Sequence, residues 1–482
     1  MSTINTNIPS LVSQRHLAVS QRALGISLER LASGLRINRG ADDPAGLIVS
    51  ERLRSEISAV TQAIDNSNRA IAVIATTEGA LNEVAALLID IQGLIIEAAN
   101  TGAFSDAETN ANQLQIDSAI ESITRIANTT TFAGRKLLDG GLDYITSGIV
   151  SSSLADVSIF SAKFGTNAFI PVNVVVSTSA RQAELQFTAA GIGASAVTVD
   201  IKGPDGIVTL NFPASMTTVD MVTQINGVSD ATGVTAKSSG TGGSAGMRIF
   251  SRTYGSNSFV SVTALTDTTT SAPFPVTDPV DGSTDPRATG VDAVATINGA
   301  ATVADGLVLS LSTSLLKLDI TLQTSFGIGS TSFAITGGGA LFQLGPRANT
   351  NQQENIGIAS MQANKLGDNI VGFLSELKKG QPHALKTKTF KQGSDIIDKV
   401  ITEVAVLRGR LGAFERNTLR TNINQLQITA ENLTASESSV RDTDFAKETT
   451  ELTRAQILVQ AGNSVLAIAN AQAQNVLTLL GG

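Results

Sequence analysis

Residues 445–480 read FAKETTELTRAQILVQAGNSVLAIANAQAQNVLTLL, and their spacing decides how the rest of the chain is understood. Phe445, Leu452, Val459, Leu466, Ala473 and Leu480 are each seven residues apart, and Ala455, Gly462, Ala469 and Val476 fill the positions three further on. An apolar period of 3.5 marks a helix that packs along one narrow seam against another helix. Such a stripe gains nothing in water alone, so it requires a partner.

The other end of the chain offers one. Leu17, Leu24 and Leu31 are seven apart, with Leu28 and Leu35 interleaved at +4, and Gly34 with residues 38–40 should end that helix. A second helix is expected to start near Asp42-Asp43-Pro44, with acids near the cap and Pro in the first turn. Its seam runs Leu53, Ile57, Val60, Ile64, Ser67, Ile71 and Ile74, and continues in phase through Leu81, Ala85, Leu88 and Ile95. At about 1.5 Å per residue this predicts a rod of about 80 Å. Inside the C-terminal helix lies a matching seam of Val400, Val404, Leu407, Leu411 and Phe414. It slips by one residue and resumes at Leu419, Ile423, Leu426, Ala430 and Leu433. The simplest pairing is short helix with short and long with long. Charge agrees: residues 1–40 carry five arginines against Glu29, whereas 442–482 carry Asp442, Asp444, Glu448 and Glu451 against Lys447 and Arg454.

The long helix is too apolar for one partner. Val73, Val84, Leu87, Ile91, Leu94 and Ile96 lie off its main seam. A helix apolar on several sides is buried on several sides. The expectation is self-association, and a head-to-tail contact that does not close gives a helical filament.

Between the helical ends the composition changes. Ser105-Asp106-Ala107-Glu108 fits a capping box for a third helix to about Asn128, with Ile116, Ile120, Ile123 and Ala127 on one face. Residues 129–142 read as a hairpin. Residues from about 145 to 345 are rich in Gly, Ser, Thr and Val. There the runs 197–201 and 207–210 flank the turn Gly203-Pro204-Asp205-Gly206, and 216–227 suits one short helix. Leu307 to Leu322 alternates as strand, and the Pro-containing run 267–286 reads as a loop between β modules. The fold class expected is multi-domain α plus β: a coiled-coil core from both termini with an inserted β-rich outer domain. Its parts are 1–43 and 442–482 as paired core helices, 44–145 and 346–441 as rod segments, and 146–345 as the outer domain.

Composition bounds the function. The 482 residues are 42% hydrophobic and only 4% aromatic, with no Cys and a net charge of −8. Without cysteine there are no disulfides, thiolate sites or Cys nucleophiles. Two histidines, His16 and His383, leave little for a metal site or a triad, and His383 in its Lys-rich loop reads as a solvated side chain. The acidic balance argues against a nucleic-acid footprint. Gly240 to Gly246 fails the G-x-G-x-x-G pattern, and H-E-x-x-H is absent. No catalytic residue, metal or cofactor is expected. Residues 1–10 lack the charge and apolar core of a cleaved secretory signal. The most apolar stretch, 80–99, is interrupted every seven residues by Glu83, Asp90 and Glu97, so no membrane insertion is expected.

Several segments resemble bacterial flagellin. At the N-terminal end these are 31–38 (LASGLRIN), 41–47 (ADDPAGL), 77–81 (TEGAL) and 131–138 (TFAGRKLL); at the C-terminal end, 430–433 (AENL), 442–446 (DTDFA), 456–458 (QIL) and 476–480 (VLTLL). The likeness covers about 140 residues at each end. Residues 217–235 look like a small module of some flagellins and hook-associated proteins. The resemblance implies an extracellular filament subunit for swimming, a homo-oligomer exported by a type III route through the hollow flagellum. It implies an export chaperone, a filament cap and hook–filament junction proteins as partners. A junction protein of the same terminal-helix family is the alternative reading, and a secreted adhesin using the β domain is a more distant one. The assembly residues would be the seams: Leu17, Leu24, Leu28, Leu31, Leu35, Leu53, Ile57, Val60, Ile64, Ile71, Val404, Leu407, Leu411, Phe414, Phe445, Leu452, Val459, Leu466, Val476 and Leu480. Recognised family members show an innate immune receptor an Arg and a Glu where Asp90 and Gln115 stand here, while Leu94 is kept. The inverted charge implies weak recognition.

Overall fold

The computed structural model describes residues 6–103, 105–165, 167–189, 191–193, 195–239, 246–265, 274–279 and 282–480, the side chains of 473–480 excepted. The chain divides into two compact units. One comprises Met1–Ala70, Gln343–Ala348 and Arg416–Gly482; the other comprises Ile71–Phe342 and Asn349–Glu415.

The first unit is helical. Helix α1, Ile8–Ser33, is capped by the Asn7 side chain accepting from the Ser10 amide, and it ends at Gly34 in the left-handed conformation. Helix α2, Pro44–Ala99, has 56 residues and belongs to the first unit up to Ala70. Pro44 takes its first position, where a missing N–H costs nothing, and the Asp43 carboxylate accepts from the Gly46 amide at 2.9 Å. Along α2 from Val60 onward the fully buried positions are Val60, Ala63, Ser67, Ala70, Ile74, Thr77, Leu81, Val84, Leu88, Ile91, Ile95 and Ala98. Steps of three and four alternate without a break, which is the heptad rhythm.

The second unit holds the rest of α2, helix α3 (Asp106–Thr129) and two β sandwiches. The capping box at Ser105 and Glu108 is formed in both directions, and Ile116, Ile120, Ile123 and Ala127 are all buried. The hairpin follows: Thr131–Phe132 pairs with Arg135–Lys136 across Ala133 and Gly134, both at positive φ. That two-residue turn matches the twist of its strands.

One sandwich joins a five-stranded sheet, built around Ile170–Thr178 and Gly329–Gly338, to a four-stranded one containing Leu154–Ala162, Val308–Ser312 and Leu316–Leu322. Val172, Val174, Leu309, Leu318, Ile320 and Ile335 fill its core. The run 307–322 thus forms two paired strands rather than one, Val308 facing Thr321. The second sandwich is inserted between Thr178 and Val294 of the first. In it Val197–Lys202 and Ile207–Phe212 pair across the Gly-Pro-Asp-Gly turn, and helices α4 (Thr218–Gly227) and α5 (Ser229–Thr232) follow. The Pro-containing run does not separate modules. Phe274 stacks on Phe187 at 4.4 Å inside this second core, and Val276–Thr277 adds an edge strand beside Gln182–Phe187. Of the prolines and glycines singled out, Pro273 and residues 240–245 lie outside the described residues.

Helix α6, Phe390–Phe414, ends in a π-helical turn at Glu415–Leu419, and α7, Arg420–Arg441, continues from it. The slip in the seam falls on that turn. A π turn admits one extra residue, so Leu411 and Leu419 are both buried although eight residues separate them. Helix α8, Phe445–Leu480, completes the chain's elements.

Candidate assembly surfaces

Helices α1 and α8 run antiparallel. The Asn7 amide donates to the Ala469 carbonyl at 3.0 Å, and the Ser10 hydroxyl donates to the Asn470 side chain at 2.8 Å. At the opposite end Arg30 pairs with Glu448 at 3.5 Å. Beyond it the Thr443 amide donates to the Gly34 carbonyl at 2.9 Å, and the Arg36 amide to the Arg441 carbonyl at 2.7 Å. Opposite charge at the two ends thus becomes one specific, largely covered pair.

The seam between them is lined with small residues. On α1, Ser10 and Ser27 are buried, with Leu17 and Leu24 half-buried between them and Leu31 half-buried beyond. On α8, Glu448, Ala455 and Ala469 are buried with Gly462 half-buried among them, again at intervals of seven. Leu452, Val459 and Leu466 flank that line, half-buried. A side chain at Gly462 would meet Leu17 Cδ1 at 3.2 Å. The helices therefore approach closely around Ala455, Gly462 and Ala469, where α8 presents only small residues at its innermost positions.

Two expected seam residues fall elsewhere. Leu28 is 50% exposed, because Ser27 takes the inward position, and Phe445 is 57% exposed at the start of α8. Leu35 is half-buried and bridges to Asp442. The side chains of Val476 and Leu480 lie outside the described residues.

The long helices pair similarly within the first unit. Val60 and Ala63 pack with Leu426, and Ile64, Ala430 and Leu433 close around them. The Asn422 amide reaches the Ser67 hydroxyl at 3.3 Å, and Arg441 pairs with Glu51 at 3.1 Å. Leu53 and Ile57 are half-buried, as is Ile71 at the start of the second unit's part of α2. In the second unit Val404, Leu407 and Leu411 are buried and Phe414 is half-buried. Val84 and Ile91, read from sequence as off the seam, are fully buried, and Ala85 is only half-buried. The stripe takes the residue one position earlier, because Ala63, Ala70 and Thr77 allow close packing where bulkier Ile64 and Ile71 do not.

What stays uncovered is as informative. On α1, Ile8, Leu11, Val12 and Val19 are exposed; on α8, Ile457, Leu458, Val465 and Ile468 are, the last by 66%. Contiguous exposed apolar residues of this kind mark an interaction surface. By length and composition α2 is apolar enough to cross a membrane, with an 18-residue window of mean hydropathy 1.6. Its Glu83, Asp90 and Glu97 nevertheless share one exposed side with Ile89 and Ile96. Asp90 and Gln115 are exposed and Leu94 is half-buried.

His383 is only partly solvated. Its side chain is half-buried, with Nε2 3.5 Å from the Glu376 carboxylate, because both sit in a loop folded back on itself.

A chain whose two ends close on each other through heptads, yet leave apolar faces uncovered, and which carries β sandwiches between those ends, is built as the subunit of a polymer. Comparison with known proteins agrees. Residues 4–142 match the bacterial flagellin N-terminal helical region, 394–480 the C-terminal helical region, and 184–253 the flagellin hook IN motif. A flagellin of Salmonella rubislaw is 31% identical and flagellin B of Helicobacter pylori 30%, each alignment covering 99% of this chain and 99% of the relative. A FliC structure from Burkholderia pseudomallei is 14% identical with a TM-score of 0.23, covering 73% of this chain and 99% of that one. The chain belongs to the bacterial flagellins. It is a structural subunit of the flagellar filament that serves motility, and the hook–filament junction alternative is the weaker reading of full-length relatives that are themselves flagellins.

Proposed function

We propose that this chain polymerises with copies of itself through its paired terminal helices and has no catalytic role. The observation that carries the reading is the antiparallel α1–α8 pair, closed by Arg30–Glu448 and by Asn7 on the Ala469 carbonyl, with apolar residues left exposed on both helices. The seam residues from Leu17 to Leu31 and from Leu452 to Leu466 hold the pair, and Ile8, Leu11, Val465 and Ile468 meet neighbouring copies. Residues 1–43 and 442–482 form the filament core, 44–145 and 346–441 the rod around it, and 146–345 the outward domain. Export proceeds through the flagellar channel with the terminal helices unpaired, and a chaperone covers the α8 stripe until assembly. Cap and junction proteins bound the filament at its ends. Asp90 and Gln115 give the innate receptor a weaker surface than an Arg and a Glu would.

Leu466→Asp tests the reading. A charge buried in the seam costs several kcal/mol without a partner. Filament yield by electron microscopy should fall to nothing, while the thermal transition of the β sandwiches stays in place. Filaments of normal length from this variant would refute the assignment.

A further inference from the structure

Residues 374–391 read LSELKKGQPHALKTKTFK: five lysines against one glutamate, in a chain of net charge −8. The segment falls between the family matches, which end at residue 142 or 253 on one side and begin at 394 on the other. It is a built platform rather than a loose loop. Leu374, Leu377 and Leu385 are buried beneath it. The buried side chain of Gln113 on α3 donates to the Leu377 carbonyl at 2.8 Å and accepts from the Leu385 amide at 2.8 Å. Asp117, one turn further along α3, accepts from the Lys379 amide at 2.9 Å and from the Gln113 amide at 2.8 Å. Lys379, Lys386 and Lys388 are exposed and make no ion pair among the described residues; Lys391 pairs with Asp230 at 3.2 Å.

We infer that this lysine platform docks on the acidic stripe Glu83–Asp90–Glu97 of α2 in a neighbouring copy. The stripe is exposed, its members are about 10 Å apart along the helix, and Glu83 and Asp90 make no ion pair among the described residues. Among the described residues Glu97 accepts only from Asn112, at 3.2 Å. Copies of a −8 chain repel one another as they accumulate in a filament. A positive platform held rigid on one copy and a negative stripe on the next offset that repulsion and fix the register between them. The alternative occupant, an anionic polysaccharide outside the filament, does not account for the matching stripe on the same chain.

The inference rests on side-by-side packing of copies in the filament, and the test separates the two. Seeded elongation of the full chain is followed by light scattering over a range of salt. The triple variant Lys379→Glu, Lys386→Glu, Lys388→Glu should raise the critical concentration about fivefold or more at low salt, the difference shrinking as salt rises. Adding Glu83→Lys and Asp90→Lys to that chain should restore it to near the parent value. The milder Lys→Gln triple variant controls for folding: it should keep the parent melting temperature and weaken elongation less. Failure of the parent to elongate would sink the filament reading itself. Elongation unchanged by the triple reversal, with or without loss of retention on heparin, or a swap that rescues nothing, would overturn this contact alone.

Discussion

The guanidinium of Arg410 lies 4.1 Å over the ring of Phe160 and donates to that residue's own carbonyl at 3.0 Å. Arg410 sits on α6 and Phe160 on a strand of the first sandwich, so one side chain ties helix to sheet. Burial pulls the guanidinium down to about 10, still charged at neutral pH. Beside it the Tyr144 hydroxyl accepts from the Ala162 amide at 2.9 Å and donates to the Asn355 carbonyl at 3.2 Å, and burial pushes the phenol up to about 12. Arg410→Ala leaves the Phe160 carbonyl to the longer bond from the Gly357 amide at 3.3 Å and removes the stacked cation. The sandwich should lose about 1–3 kcal/mol by thermal unfolding. Arg410→Lys should recover only part of this, since a lysine lacks the planar fork.

Gly462 faces Leu17 across the α1–α8 seam. Gly462→Ala brings a methyl to 3.2 Å from a flexible leucine tip, so Leu17 shifts slightly and the gain in helix propensity nearly cancels the cost. Gly462→Leu has no such escape and should force the helices apart. Sedimentation of assembled material should show the Ala variant near the parent and the Leu variant in the supernatant.

The π turn at Glu415–Leu419 should be removable by deleting one residue, for instance Arg416. Regular α-helix then keeps every later residue on its present side of the axis, because the π turn absorbs that one residue. Leu426 would stay in the cluster with Val60 and Ala63, and assembly and the melting temperature of the helical unit should stay near the parent. Deleting Thr421 instead, within the regular helix α7, would turn Leu426 by about 100° out of that cluster; assembly should then fail and the helical unit melt at lower temperature.

Asp292 links the two sandwiches: its carboxylate accepts from the Ser256 hydroxyl, from the Gly306 amide at 2.8 Å and from the Ser256 amide at 2.9 Å. The Ser256 hydroxyl, then those amides, hold this carboxyl below the usual range. A depressed carboxylate stabilises the fold above its unfolded pKa of about 4, and that contribution is lost as pH falls through the folded value. Melting temperature should therefore drop on acidification below about pH 4 more steeply in the parent than in Asp292→Asn.

The heptad positions of α8 from Leu452 to Ala469, the capping box at Ser105 and the turn at Gly203–Gly206 are local signals, and each lies where its spacing points. The one-residue slip after Phe414 is also local, and it locates the π turn without naming it. Leu28 shows the limit. Hydrophobicity alone favours leucine over Ser27 for the inward position, but the choice is made by how closely Gly462 and Ala455 let the helices approach, and that is a property of two distant segments. The lysine platform escaped for the same reason: its rigidity comes from Gln113 and Asp117, more than 250 residues away in sequence. The nesting of one sandwich within the other, and Phe274 in its core, depend on long-range pairing that no short pattern encodes.

The central claim is that the two chain ends pair and that this pair builds a polymer. Electron cryomicroscopy of the purified full chain after salt-induced assembly tests it most directly. The account predicts helical filaments whose innermost density is α1 beside α8, with Gly462 against Leu17 and the β sandwiches at larger radius. A monodisperse particle at high concentration, or filaments whose inner wall is built from residues 146–345, would contradict it.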